Sequence, residues 1–235
     1  MSPVSLIKLM DLTNLDERAT AETIAHLCKK AVTSFGPVAA ICIYPSFLTL
    51  ARQHLKNIPL ATVVNFPQGR HDLPIVLSEI EAAILLGADE IDVVIPYHFY
   101  LSQERNKVRE FLAACRKTCH VKLKMILETG ALHSTEYIAA ASNDAIDAGV
   151  DFIKTSTGKI PIGATLDAAA VMLATIKSTG SKTGFKASGG IRHRSQANAY
   201  LQLAIDIMGK NWITPDTFRF GASTLLDELC KQETI

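Results

Sequence analysis

The sequence predicts one α/β domain folded as a closed (β/α)8 TIM barrel, and three observations predict it. Short runs rich in β-branched residues alternate with amphipathic stretches along the whole chain, the pattern of parallel βαβ units. About eight such units fit 235 residues, the usual size of one barrel. No low-complexity linker or shift in composition divides the chain, so residues 1–235 read as a single catalytic domain.

The elements follow in order. Strands are expected at 6–12, 38–44, 60–66, 90–96, 121–128, 152–156, 184–189 and 218–222. Runs such as Ile41-Cys42-Ile43 and Ile91-Asp92-Val93-Val94 are nearly continuous in apolar residues, as strands covered on both faces require. Helices are expected near 21–32, 46–56, 73–86, 104–118, 134–148, 165–178, 195–208 and 224–231, where apolar residues recur at steps of three and four, as at Ile80, Ile84 and Gly87. A repeat supports the scheme. Ala83-Ile84-x-x-Gly87-Ala88-Asp89-x-Ile91 returns as Ala145-Ile146-x-x-Gly149-Val150-Asp151-x-Ile153, an offset of 62 residues, about two βα units. In each copy a helix stops at glycine and a strand follows. The same offset carries Asp92 onto Lys154, a carboxylate and an amine at equivalent strand positions.

Charges inside such strands are costly unless paired or functional. Asp11 closes the first strand, Asp92 lies in the fourth, Lys124 and Glu128 punctuate the fifth, and Lys154 and Lys186 lie on the sixth and seventh. One buried lysine alone fits an ion pair as well as a catalyst. Two on neighbouring strands, about 4.8 Å apart, are different. Mutual repulsion and poor hydration favour a neutral amine, and a neutral amine attacks carbonyls. The residues leave open which of the two is the nucleophile: Lys154 leads into Thr155-Ser156-Thr157-Gly158-Lys159, and Lys186 into Ser188-Gly189-Gly190.

Glycine-bearing turns follow the last three strands: Gly158-Lys159, Gly189-Gly190-Ile191-Arg192 and Gly221-Ala222-Ser223-Thr224. Bare backbone N–H groups there suit an anion, and barrels often bind phosphate after strands seven and eight. Other chemistries find less support. The order of an NTP-binding loop is absent, as is GxGxxG after a strand. The seven histidines form no ligand-like strand pair, with His71, His98 and His133 reading as loop residues. Cys115 and Cys119, four apart, lack further ligands. No metal and no cofactor are expected. A formal net charge of +1 with dispersed Lys and Arg argues against nucleic acid. Charges at Lys8 and Asp11 interrupt the N-terminal apolar stretch, and no membrane span develops. The five cysteines have no CxxC spacing and read as reduced thiols, so a cytoplasmic location is expected.

Taken together, the motifs resemble those of the deoxyribose-phosphate aldolase family along nearly the whole chain. The resemblance is carried by Leu9-Met10-Asp11-Leu12-Thr13, Ala40-Ile41-Cys42-Ile43-Tyr44-Pro45, Val64-Asn65-Phe66-Pro67, Ala88-Asp89-Glu90-Ile91-Asp92-Val93-Val94, Glu128-Thr129-Gly130, Phe152-Ile153-Lys154-Thr155-Ser156-Thr157-Gly158-Lys159, Gly184-Phe185-Lys186 and Arg219-Phe220-Gly221-Ala222-Ser223. It implies reversible cleavage of 2-deoxy-D-ribose 5-phosphate to D-glyceraldehyde 3-phosphate and acetaldehyde. By position, Lys154 resembles the Schiff-base lysine, Lys186 the lysine that perturbs it, and Asp92 the proton-transfer carboxylate. Asp11, Thr13, Cys42, Lys124, Glu128 and Thr155 fall at pocket positions. Gly158, Lys159, Gly189, Gly190, Arg192, Gly221, Ser223 and Thr224 would contact phosphate. The implied partner is a small phosphorylated sugar or aldehyde, with a homodimer left open.

Departures accompany the likeness. The chain ends Gln232-Glu233-Thr234-Ile235 and its last tyrosine is Tyr200, so a C-terminal tyrosine that assists proton transfer in some relatives has no counterpart. Lys186-Ala187-Ser188-Gly189 replaces a Pro-Ala version, and His98 stands where the family can carry arginine. Two rival readings remain: another Schiff-base barrel of the transaldolase or keto-sugar type, and a non-catalytic barrel whose lysines clamp a sugar phosphate.

Overall fold

Runs of residues that tolerate burial on both faces need a layer on each side, and here the inner layer is the barrel's own interior. The computed structural model describes residues 6–231. Its barrel strands are β1 (Met10–Asn14), β2 (Ala40–Ile43), β3 (Leu60–Val64), β4 (Glu90–Val94), β5 (Lys122–Ile126), β6 (Phe152–Lys154), β7 (Gly184–Ser188) and β8 (Phe218–Ala222). All pair in parallel, each with its neighbour in sequence, and β8 closes onto β1 through Met10 opposite Phe220.

The connecting helices are α1 (Ala21–Lys30), α2 (Leu48–His54), α3 (Leu73–Leu85), α4 (Arg105–Thr118), α5 (Thr135–Asp147), α6 (Leu166–Thr179), α7 (Arg194–Met208) and α8 (Leu225–Lys231). Several begin where a side-chain oxygen accepts one of the free first-turn N–H groups: Thr20 from Thr23, Asp72 from Ile75, Ser134 from Tyr137 and Thr165 from Ala168. The repeated glycines end α3 and α5 as the sequence requires. Gly87 and Gly149 take φ of 94° and 76°, a region that costs other residues energy, and the chain turns there into β4 and β6.

The main core lies between strands and helices, with Phe111, Phe185, Phe218 and Phe220 fully buried. A second, small apolar cluster of Leu15, Ala40, Cys42, Ala61 and Val63 covers the inner face of β2 and β3, with Tyr44 and Phe66 packed against it.

Several expected bounds move. Residues 6–7 are helical, and β1 begins at Met10 and runs to Asn14, which pairs with Ile43. Leu6 and Ile7 are fully buried, and a short apolar run serves a buried helical turn as well as a strand. Asp11 is therefore the second residue of β1 and does not close it. Strand five stops at Ile126, which leaves Glu128 beyond it in a left-handed conformation, φ 54°. Strand six stops at Lys154. The stretch 46–56 divides into a 3-10 turn, Pro45–Phe47, and α2. His98 opens a one-turn helix, His98–Leu101, instead of lying in a loop. The C-terminal residues 232–235 lie outside the described residues. Tyr200 packs on α7 in the outer core and lines no part of the cavity described next.

Candidate active site

Alternation along a strand sends every second side chain into the barrel, and β4 to β8 together with β1 use these positions for charge. Asp92 is the third residue of β4 and Lys154 the third of β6, so the repeat places both on the same interior level, with Lys154 Nζ 2.8 Å from Asp92 Oδ2. Lys186 pairs directly with Lys154 in the ladder and donates to the same oxygen, also at 2.8 Å. The two amines are therefore no further apart than twice that distance. Lys186 Nζ also lies 2.5 Å from Asp11 Oδ2. Lys124 donates to Asp92 Oδ1 at 2.8 Å and stands 2.6 Å from Glu90 Oε2 and 3.5 Å from Asp11 Oδ2. Arg219 Nη1 reaches Asp11 Oδ1 at 2.5 Å and Nη2 reaches Glu90 Oε1 at 3.3 Å.

Counting charges shows what this network does. Three carboxylates (Asp11, Glu90, Asp92) face four cationic groups (Lys124, Lys154, Lys186, Arg219), all buried. One positive charge is in excess, and a dry site sheds it most easily where it is least compensated. Lys154 touches one carboxylate, and shares that oxygen; Lys186 touches two and Lys124 three. Burial, together with the Lys186 ammonium, accordingly pushes the Lys154 amine below the ordinary lysine range against the pull of Asp92. Burial acts on Lys186 and Lys124 in the same sense, yet their carboxylates hold both above that range. Despite burial, the lysines and Arg219 keep Asp11 and Asp92 well below the usual carboxylate range.

Only one of the three lysines opens to solvent. Lys154 retains 3% exposure against 0% for Lys124 and Lys186, and it forms the base of a cavity of about 1070 Å³ at the C-terminal strand ends. Gly158, Lys159, Gly189, Gly190, Arg192, Gly221 and Ser223 line that cavity, as does Thr13. Thr224 is exposed just past it, while Asp11, Asp92, Lys124 and Lys186 lie beneath. Thr155 Oγ1 bonds both the N–H and the carbonyl of Ser188, stitching the end of β6 to β7. Cys42 is buried in the apolar wall, which pushes its thiol up. Glu128 accepts from Thr157, and burial raises its carboxyl. The loops after β6 and β7 pack backbone to backbone: a Cβ on Gly163 would meet the Gly189 carbonyl oxygen at 2.4 Å. Among the described residues no group of three or more His, Cys, Asp or Glu is arranged to hold a metal ion.

Sequence reasoning passed over Glu90 and Arg219, although both are charges in buried strands and the rule that singled out Asp92 would have found them. Thr157 and Ser188, which sequence reasoning placed in the turns after the two lysines without a role of their own, are buried and line the cavity. His26, exposed on α1 at its rim, went unremarked, since an exposed polar residue on a helix carries no such signal.

A buried lysine whose amine is held below the ordinary lysine range, at the base of a cavity on the C-terminal face of a closed barrel, fits an enzyme of the amine-dependent aldolase class. Comparison with known proteins narrows the class. The profile of the DeoC/LacD family aldolases matches residues 5–231, and the chain belongs to that family. It is 51% identical over 228 residues to a deoxyribose-phosphate aldolase of Agrobacterium fabrum, covering 95% of this chain and 88% of that one. Among solved structures it resembles a protein described as QR15, an aldolase (28% identity, TM-score 0.83, 97% and 96% of the two chains). It also resembles a deoxyribose phosphate aldolase from Aeropyrum pernix described as having a unique tetrameric structure (25% identity, TM-score 0.80, 99% and 93%). The protein is a lyase of the aldolase type.

Proposed function

We propose that Lys154 is the Schiff-base lysine of a deoxyribose-phosphate aldolase, which reversibly cleaves 2-deoxy-D-ribose 5-phosphate to D-glyceraldehyde 3-phosphate and acetaldehyde. The neutral Lys154 amine attacks the C1 aldehyde of the open-chain sugar, and loss of water leaves an iminium. The cationic nitrogen then acts as an electron sink: the C3 hydroxyl loses its proton, the C2–C3 bond breaks, and glyceraldehyde 3-phosphate departs. The remaining enamine takes a proton at C2, and hydrolysis of the iminium releases acetaldehyde and restores the amine. Asp92 acts with Lys186 and a water as the acid/base relay. Because its carboxylate is held anionic by the Lys124 and Lys186 ammonium groups, the exchangeable protons of that relay rest on the amines. Asp11 anchors Lys186, and Lys124 anchors Asp92. Thr13, Cys42, Thr155 and Glu128 shape the pocket around them.

The observation that carries this reading is the unequal pairing of Lys154, at the base of the cavity, and Lys186 beneath it. Phosphate binds where Gly158, Lys159, Gly189, Gly190, Arg192, Gly221 and Ser223 surround the opening, with Thr224 at its edge. Contacts so far from C1 hold the reacting carbon in place. Residues 1–235 act as one catalytic domain. The five cysteines are free thiols, which suits a reducing cytoplasm. Self-association as a homodimer is supported by exposed Ile75, Leu85 and Leu86 on and beside α3, and sedimentation tests it. For the chemistry the test is borohydride reduction in the presence of acetaldehyde or substrate, followed by peptide mapping. An adduct on Lys154 is expected, and an adduct on another lysine overturns the assignment.

A further inference from the structure

One layer below Lys154, the floor of the barrel holds two charged side chains that this reaction scheme leaves idle. Glu90 opens β4 and Arg219 is the second residue of β8; each is 2% exposed and neither lines the cavity. They touch each other at 3.3 Å, and each also grips a different part of the network above. Glu90 stands 2.6 Å from Lys124, which in turn serves Asp92; Arg219 reaches Asp11 at 2.5 Å, which in turn serves Lys186. The rest of the Arg219 side chain is fixed by the Pro215 carbonyl and by the Phe152 ring, 5.7 Å from its guanidinium carbon. Buried ion pairs of this kind stabilise a fold no better than apolar side chains of equal volume. The floor therefore carries more charge than folding needs, and both of its connections lead to the carboxylates that decide which amine is neutral.

We propose that Glu90 and Arg219 are positioning residues for the amine chemistry: through Lys124 and Asp11 they set the charge around Lys154, so that Lys154 and not Lys186 is the amine that gives up its proton. The inference rests on Lys154 being the imine-forming residue. Lys154 faces Asp92 from β4, Lys186 from β7, Cys42 from β2 and Glu128 from the loop after β5, and Lys124 on β5 shares Asp92 with it. Glu90 faces Lys124 and Lys122 on β5 and Arg219 on β8; Arg219 faces Asp11 as well, with Asp216 nearby. Without the Glu90 charge, Lys124 leans fully on Asp92 and Asp11, and Asp92 compensates Lys154 less. Without the Arg219 charge, the excess positive charge of the network is gone and Lys154 keeps its proton longer.

The two substitutions therefore act in opposite directions, which a merely structural role would not produce. The readout is the acid limb of kcat/KM against pH, together with the pH dependence of borohydride trapping by acetaldehyde. Glu90→Gln is expected to move the limb to lower pH by roughly half a unit to one unit, and Arg219→Gln to higher pH by a similar amount. At a pH below the limb these shifts amount to about a three- to tenfold gain and loss of rate. Lys122→Gln covers the event that both buried variants fail to fold, because the Lys122 side chain is 26% exposed and lies 3.5 Å from Glu90. It removes a floor cation and should move the limb as Arg219→Gln does, by less. Peptide mapping accompanies each variant. An adduct on another lysine overturns the functional reading; an adduct on Lys154 with an unmoved limb, or limbs that move the same way in Glu90→Gln and Arg219→Gln, overturns the inference itself.

Discussion

Replacing Lys186 by methionine removes one ammonium while keeping an unbranched side chain in the barrel. Lys154 and Lys186 share Asp92 Oδ2 at 2.8 Å each, so their charges stand no more than twice that far apart. At an effective dielectric of about 20, such a pair repels by about 3 kcal/mol, which corresponds to about two pH units on an amine. The variant also leaves Asp92 Oδ2 to Lys154 alone, which adds to the effect in the same sense. The acid limb of imine formation is thus expected to move to higher pH by about two units, and below it the rate should fall about a hundredfold. Trapping with acetaldehyde is the right assay, because acetaldehyde has no C3 hydroxyl and its condensation does not depend on the C–C cleavage step. Asp11 retains Arg219 at 2.5 Å and Lys124 at 3.5 Å, so the fold should persist, and a thermal melt checks it. A folded Lys186→Met protein whose limb stays in place would show that crowding of the amines does not govern Lys154.

Other expectations follow from the same geometry. Lys154→Met should fold, bind phosphate and show neither turnover nor a reducible adduct, read by activity and mass spectrometry. Gly163→Ala should press its Cβ on the Gly189 carbonyl and raise KM for the phosphorylated substrate about tenfold or more, while trapping by acetaldehyde stays near normal. Arg192→Ala should raise KM a few-fold with kcat little changed, since a phosphate contact acts on binding. Asp144, buried between α4 and α5, accepts from Arg105 at 2.6 Å, Arg109 at 2.7 Å and Tyr100 at 3.0 Å. Against the effect of burial, these partners hold its carboxyl below the usual range. The contribution is complete above the unfolded carboxyl value of about 4 and is lost as pH falls through the lower folded value. Urea unfolding should show Asp144→Asn less stable by about 1–3 kcal/mol at neutral pH, a modest figure because both arginines are partly exposed. The difference should narrow in acid.

Much of this architecture was legible because the barrel imposes two independent patterns on the chain. Helices needing one apolar stripe and strands needing two produce the alternation that set fold class, and the Gly87/Gly149 repeat reported identical helix ends two units apart. The offset from Asp92 to Lys154 translated directly into a 2.8 Å contact, because a repeat of two βα units also conserves inward orientation. What escaped has equally physical causes. Leu6 and Ile7 satisfy burial in either conformation, so hydropathy could not tell a helical turn from a strand. Glu128 sits outside its strand because its φ of 54° is held by the surrounding loop, and no local preference of glutamate announces that. Neither lysine sequence said which was the nucleophile. The proposed assignment to Lys154 rests on how many carboxylates each amine meets, and the carboxylates come from β1 and β4, far away in the chain.

The interior divides into two halves with different work. Charges occupy β4 to β8 and β1, whereas β2 and β3 present Ala40, Cys42, Ala61 and Val63. An apolar wall supplies no dipoles to solvate an ammonium, so every amine in the interior must be compensated by the charged half or lose its proton. The charged half spends most of its compensation elsewhere, on Lys124 through Glu90 and Asp92 and on Lys186 through Asp11 and Asp92. Lys154 is left with one shared oxygen. On the proposed reading its reactivity is a property of the whole interior cross-section, and substitutions that leave both lysines untouched should shift it by redistributing the carboxylates.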